Sequence, residues 1–179
     1  MLSAQMVKRT RRSISAEDRL AVKKFLQQSA ADHMVREVRT VTREMTMREL
    51  SSLFSFSDFN SYPVKEDDRV IGIVSKFDVL SNFVFAPTRM IPRYHDLMRR
   101  TVGDVMTPDF IYVGMDTKLT RVLQLMVDYR LRSIPVMEAD QRLVGMISRR
   151  DVICALQAVE HSSDVTSSIL GDRSPTTLD

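Results

Sequence analysis

Val70-Ile71-Gly72-Ile73-Val74-Ser75-Lys76-Phe77-Asp78-Val79 reads as a short apolar strand running into a helix, and the 179-residue chain repeats it as Leu143-Val144-Gly145-Met146-Ile147-Ser148-Arg149-Arg150-Asp151-Val152. The two stretches share apolar-Gly-apolar-apolar followed by Ser-x-x-Asp. Their glycines stand 73 residues apart. Just upstream, Ser61-Tyr62-Pro63-Val64 is matched by Ser133-Ile134-Pro135-Val136 at an offset of 72, because the second intervening turn is one residue longer. A repeat at a fixed period sets the architecture before any single residue does.

Each copy also carries a helix upstream of its Pro-Val. Thr46-Met47-Arg48-Glu49 is a capping box, with Leu50, Leu53 and Phe54 on one face. In the second copy Thr117 is the expected cap, and Leu119, Val122, Leu123 and Met126 follow at helical spacing. Acidic turns, Glu66-Asp67-Asp68 and Glu138-Ala139-Asp140, separate two strands in each copy. The second strands are apolar without alternation, as strands covered on both faces are. Ser75 and Ser148 then start helices. Each unit is thus strand–helix–strand–strand–helix, too small for a strong core alone, so the two should pack together in an α/β (α+β) fold.

Residues 1–14 form a basic leader containing Lys8, Arg9, Arg11 and Arg12. Residues 15–31 are expected to be an extra N-terminal helix, capped at Ser15, with Val22, Phe25, Leu26 and Ala30 facing the body. The first repeat spans 33–85, a linker holding Pro87 and Pro92 spans 86–100, and the second repeat spans 101–160. The Ser- and Thr-rich tail, 161–179, is expected to be disordered.

A net charge of +3 does not call for a nucleic-acid partner. There is no run of about 18 apolar residues for a membrane span and no secretory signal, so the cytoplasm is the expected compartment. Cys154 is the only cysteine and lies in an apolar stretch, which predicts a buried thiol. His33, His95 and His161 are far apart, with no metal-binding spacing. No Walker loop or Gly-x-Gly-x-x-Gly is present, so neither a catalytic nor a metal centre is expected.

The duplicated Ser-x-x-Asp has two compatible readings. It caps a helix, and an Asp in the first helical turn can accept the hydroxyls of a ribose. Gly72 and Gly145 mark places where something approaches a strand closely. The repeats resemble cystathionine-β-synthase (CBS) domains, and the pair resembles a Bateman module over about residues 33–160. Val102-Gly103-Asp104-Val105-Met106-Thr107-Pro108, the Pro-Val segments and both Ser-x-x-Asp motifs carry the resemblance.

The resemblance implies a regulatory module that binds an adenine nucleotide (AMP, ADP or ATP) or an S-adenosyl compound in clefts between the repeats. It implies ribose contacts from Asp78 and Asp151, with Ser75 and Ser148 beside them. The base would rest on Phe110, Ile111, Ser133 and Pro135 in the Asp78 cleft. In the Asp151 cleft it would rest on Val38, Thr40, Tyr62 and Pro63. Arg132, Arg149 and Arg150 would meet phosphates. The resemblance also implies a homodimer and a regulated protein partner. A purely structural dimerisation module and a nucleic-acid-associated protein using the leader remain open as alternatives.

One departure shapes the expectation further. Val35-Arg36-Glu37-Val38-Arg39-Thr40 matches Val102 to Thr107 at an offset of 67, which leaves the first repeat five residues short at its opening. On that alignment the Asp78 cleft is the stronger site and the Asp151 cleft the weaker one.

Overall fold

A computed structural model describes residues 16–84 and 94–158. The leader, the Ser15 cap and the tail lie outside the described residues. The chain opens with helix α1 (Ala16–Gln27) and a short helix α2 (Ala30–His33). Helix α3 (Met47–Ser55) leads to strands β1 (Ser61–Glu66) and β2 (Arg69–Ser75), then to helix α4 (Lys76–Ser81). Helix α5 (Tyr94–Arg99) and a 3-10 turn (Val102–Asp104) open the second half. Helix α6 (Leu119–Asp128), strands β3 (Ser133–Met137) and β4 (Leu143–Ser148), and a helix α7 over 149–158 complete it.

The two halves share their hairpin pairing and their parallel bridges. Each hairpin is antiparallel, pairing Val64 with Gly72 and Val136 with Gly145, and each bulges one residue after that pair. Asp67 and Gln141 take positive φ (52° and 64°) in the two turns. Asp and Asn tolerate that region best among non-glycine residues, which suits the acidic first turn. Val41 bridges Val64 in parallel, as Val113 bridges Val136. The Thr46 box is present, its backbone N–H and hydroxyl both donating to Glu49 Oε2 at 2.8 Å. In the second copy Lys118 is the N-cap, while Thr117 Oγ1 accepts from the Gly114 N–H at 3.1 Å in the preceding turn.

The opening segments are exchanged between the halves. Ala30 N–H donates to Thr117 O, and Val102 N–H donates to Met45 O, each at 2.8 Å. Val35 bridges Met146, and Ile73 bridges Thr107. Phe25, Ala30 and Met34 therefore join Leu119, Val122, Met126, Ile134 and Ile147 in one core. Met98 and Val102 likewise join Met47, Leu50, Phe54, Tyr62 and Val74 in the other. Burying each such side chain is worth about 1.5–3 kcal/mol, so each half depends on the other's opening segment to close its core.

Three sequence readings meet a different arrangement. Residues 16–33 form two helices around Ser29, whose backbone bridges Lys118. Phe25 and Ala30 are buried, but Val22 and Leu26 are half exposed, because only one edge of α1 meets α6. Cys154 is exposed, since α7 turns Val152 and Ala155 inward and carries Cys154 on its outer side. Finally, the register of the openings is 72, and not 67. Ser29 and Thr101 bridge Lys118 and Thr46, and both begin capping boxes with Asp32 and Asp104. Ser29-Ala30-Ala31-Asp32-His33-Met34-Val35 is thus the counterpart of Thr101 to Thr107, and the first repeat is not shortened.

Candidate functional site

Both Ser-x-x-Asp motifs form the same cap. Ser148 donates to Asp151 Oδ2 through its backbone N–H and its hydroxyl, each at 2.7 Å. Ser75 does the same to Asp78 Oδ2, at 2.7 and 2.6 Å. The return bonds, from the aspartate N–H to the serine hydroxyl, are longer at 3.3 and 3.4 Å. In each motif the cap engages one carboxylate oxygen. Oδ1 of each aspartate has no partner among the described residues and can accept from a ligand hydroxyl. Capping and ligand binding are therefore compatible at both positions.

The glycines mark a close approach to each strand, as their sequence context suggests. A Cβ on Gly145 would lie 2.6 Å from Met34 Sδ and 3.1 Å from Val35 O. A Cβ on Gly72 would lie 2.9 Å from Met106 Sδ and 3.0 Å from Thr107 O. What approaches each strand is the other repeat's opening segment. The glycines make room for the cross-repeat bridges that bring one half's opening beside the other half's Ser-x-x-Asp.

A cavity of about 340 Å3 opens at the Asp151 motif. The first repeat lines it with Val35, Glu37, Val38 and Arg39, and again with Asp58, Phe59, Asn60, Ser61, Tyr62 and Pro63. The second repeat contributes Ser133, Met146, Ser148, Arg150 and Asp151. Of the side chains singled out from sequence, Val38, Tyr62, Pro63, Ser133, Ser148, Arg150 and Asp151 thus come together. Thr40 is not part of the lining. Ser75, Asp78, Phe110, Ile111 and Pro135 do not line it; by the repeat offsets they are the counterparts of Ser148, Asp151, Val38, Arg39 and Pro63. Tyr62 is 1% exposed, meets the Phe54 ring at a tilt with centroids 4.9 Å apart, and pairs its hydroxyl with Ser57 Oγ at 2.6 Å, so this wall is fixed by core packing. Phe59 meets Tyr62 edge-on at 5.8 Å and stays half exposed at the cavity.

Two arginines named as phosphate contacts are occupied elsewhere. Arg149 Nε donates to Leu131 O at 2.7 Å, and its Nη2 donates to Met126 O at 3.4 Å, so it satisfies carbonyls at and beyond the end of α6. Arg132 Nη1 donates to Asn60 Oδ1 at 3.2 Å. Arg150 and Arg39 line the cavity and form no ion pair among the described residues. Sequence reasoning missed Arg39, Phe59 and Asn60. The 72-residue offset would have found Arg39 and Asn60, since it sets them opposite Ile111 and Arg132; Phe59 falls opposite Leu131, which carries no such signal.

Among the described residues no group of three or more His, Cys, Asp or Glu side chains could hold a metal ion. No helix there is long and apolar enough to cross a membrane.

The CBS domain family model matches residues 30–84 and 102–158. The uncharacterized protein MJ1232 of Methanocaldococcus jannaschii is 25% identical over 136 residues, 76% of this chain and 42% of its own length. The chain therefore spans less than half of that relative. CBSX2 of Arabidopsis thaliana, solved in complex with AMP, superposes with a TM-score of 0.62 at 23% identity, covering 74% of this chain and 98% of that one. The CBS domain pair of protein MJ0100, solved with 5-methylthioadenosine and S-adenosyl-L-methionine, superposes with a TM-score of 0.61 at 17% identity, covering 73% and 97%. At these identities the two structures establish a shared fold.

Proposed function

This chain belongs to the CBS-domain family, and from that premise we propose that it is a regulatory module that binds an adenosine-containing molecule in the Asp151 cavity. The observation that carries the reading is the cavity itself, formed between the two repeats with a half-buried aspartate at its wall. Asp151 Oδ1 accepts from the ribose hydroxyls. Val38, Phe59, Tyr62 and Pro63 give the base an apolar bed, and Arg39 and Arg150 meet a phosphate. Because the walls come from both repeats, occupancy favours one relative position of the two, which is what a sensor needs. The complexes of CBSX2 and MJ0100 support this reading by showing adenosine compounds bound to the same fold.

Calorimetry with AMP, ADP, ATP and S-adenosylmethionine tests it. Binding of one of these compounds, weakened by Asp151→Ala, is the expected result. No binding of any of them removes the reading.

A homodimer is the second part of the proposal. Phe77 and Leu80 of α4, with Val84 beyond its end, are 74%, 67% and 79% exposed, and Ile153 and Leu156 of α7 are about half exposed. So much exposed apolar side chain on two equivalent helices favours a partner surface, and a second copy is the simplest occupant. Sedimentation of the full chain, with Leu80→Glu beside it, distinguishes dimer from monomer.

A further inference from the structure

Asn60 and Arg132 hold equivalent places in the two repeats, 72 residues apart. Their backbones are pinned in the same way. Asn60 O accepts from Lys76 N–H, and Arg132 O accepts from Arg149 N–H, each at 3.0 Å. Between the two side chains, Arg132 Nη1 donates to Asn60 Oδ1 at 3.2 Å. Beside them Ser61 Oγ and Ser133 Oγ, also equivalent residues, pair at 2.7 Å. These contacts mark the pseudo-twofold axis, and Asn60, Ser61 and Ser133 line the Asp151 cavity there.

A guanidinium carries donors only, so it can meet only the carbonyl end of an amide. The Arg132 bond therefore fixes which way Asn60 is turned. Oδ1 is taken, and Nδ2, which has no partner among the described residues, is the end left for a molecule in the cavity. Arg132 itself is not part of the lining.

We propose that Arg132 is a positioning residue for the Asp151 cavity, acting through Asn60 so that this amide donates to an acceptor atom of the bound molecule. The inference rests on the reading of that cavity as a ligand site. It gives Arg132 a different role from the phosphate contact that the family resemblance implies.

The test is a double-mutant cycle on the full chain, read by calorimetry with AMP. Arg132→Ala and Asn60→Ala should each weaken AMP by about five- to tenfold. The double variant should bind no more weakly than Asn60→Ala alone. Arg132→Lys, which restores a donor, should stay within about threefold of the wild type. The Asn60 side-chain amide signals, read by NMR without ligand, should move in Arg132→Ala. An additive cycle, or unmoved Asn60 signals, overturns the inference. If the cycle is additive while Asp151→Ala still loses AMP, the positioning role fails and the cavity reading stands. If the wild type binds none of the adenosine compounds, both fall.

Discussion

The Asp151 and Asp78 motifs are built on the same hydrogen bonds and flanked by different side chains. Each has a Ser cap closed on Oδ2, a glycine that admits the other repeat's opening segment, and a serine at the pseudo-twofold axis. Where the Asp151 cleft has Arg39, Phe59, Asn60 and Arg150, the counterpart positions carry Ile111, Leu131, Arg132 and Phe77. Phe77 is 74% exposed. Duplication has preserved the frame, which both cores need in order to close. It has left exposed wall positions such as Arg39 and Arg150 free to diverge, because these do not serve the cores. A conserved-looking motif therefore identifies a frame, while the lining decides whether that frame is a site.

The comparison can be broken most sharply at the two aspartates. Asp151→Ala and Asp78→Ala remove the same cap, so both should lose about 1 kcal/mol of stability. Only Asp151→Ala should cost binding, about 100-fold for AMP by calorimetry, from two charge-assisted bonds to a ribose. Asp78→Ala should leave AMP binding within about threefold.

Next come the glycines. Gly145→Ala forces a Cβ toward Met34 Sδ and Val35 O, and Gly72→Ala forces one toward Met106 Sδ and Thr107 O. Overpacking of this kind costs about 1–3 kcal/mol, measurable by urea unfolding. Gly145→Ala should also weaken AMP, because Val35 lines the cavity, whereas Gly72→Ala should not.

A smaller effect separates the walls. Arg150→Ala should weaken AMP by about tenfold and leave adenosine nearly unchanged, since it removes a contact to phosphate alone. Equal losses for both ligands would place Arg150 away from the phosphate.

The smallest effect concerns the openings, where the halves should behave alike. Asp32 is held below the ordinary 3.8 by the bonds donated to it from the Ser29 N–H and hydroxyl. Asp104 is held low in the same way by Thr101. A carboxylate depressed in the folded state contributes stability above its ordinary value and loses it as pH falls through the folded one. Each contributes a few tenths of a kcal/mol, being well exposed. Asp32→Asn and Asp104→Asn should therefore lower stability equally at pH 7, and the deficit should shrink as pH falls below the ordinary 3.8 in thermal melts.

The duplicated fold was legible because glycine, proline and capping residues each answer to backbone geometry, and all recur in order. The opening of the first repeat was not. Ser29 to Val35 shares only Asp32 and Met34 with its counterpart, whereas Val35 and Val38 fit the motif by side chain at the wrong register. The true register is set by backbone bonds to Thr117 and Met146, and these leave little trace in residue identity. The expectation that the Asp78 cleft is the stronger site rests on that misalignment, and the proposed order is the reverse. Arg149 and Arg132 illustrate a second limit. The resemblance implies phosphate contacts for both, but Arg149 donates to nearby carbonyls and Arg132 to an amide, and only geometry reveals such local bonds. The exposed Cys154 is a third case, because a run of apolar residues on a short helix cannot all face inward.

The central claim is that the Asp151 cleft, and not its twin, is the ligand site. A crystal structure of the full chain grown with AMP tests it most directly. Nucleotide density is expected between Val38–Arg39 and Ser148–Asp151, with the ribose on Asp151. Density on Asp78, with the Asp151 cavity empty, would contradict it.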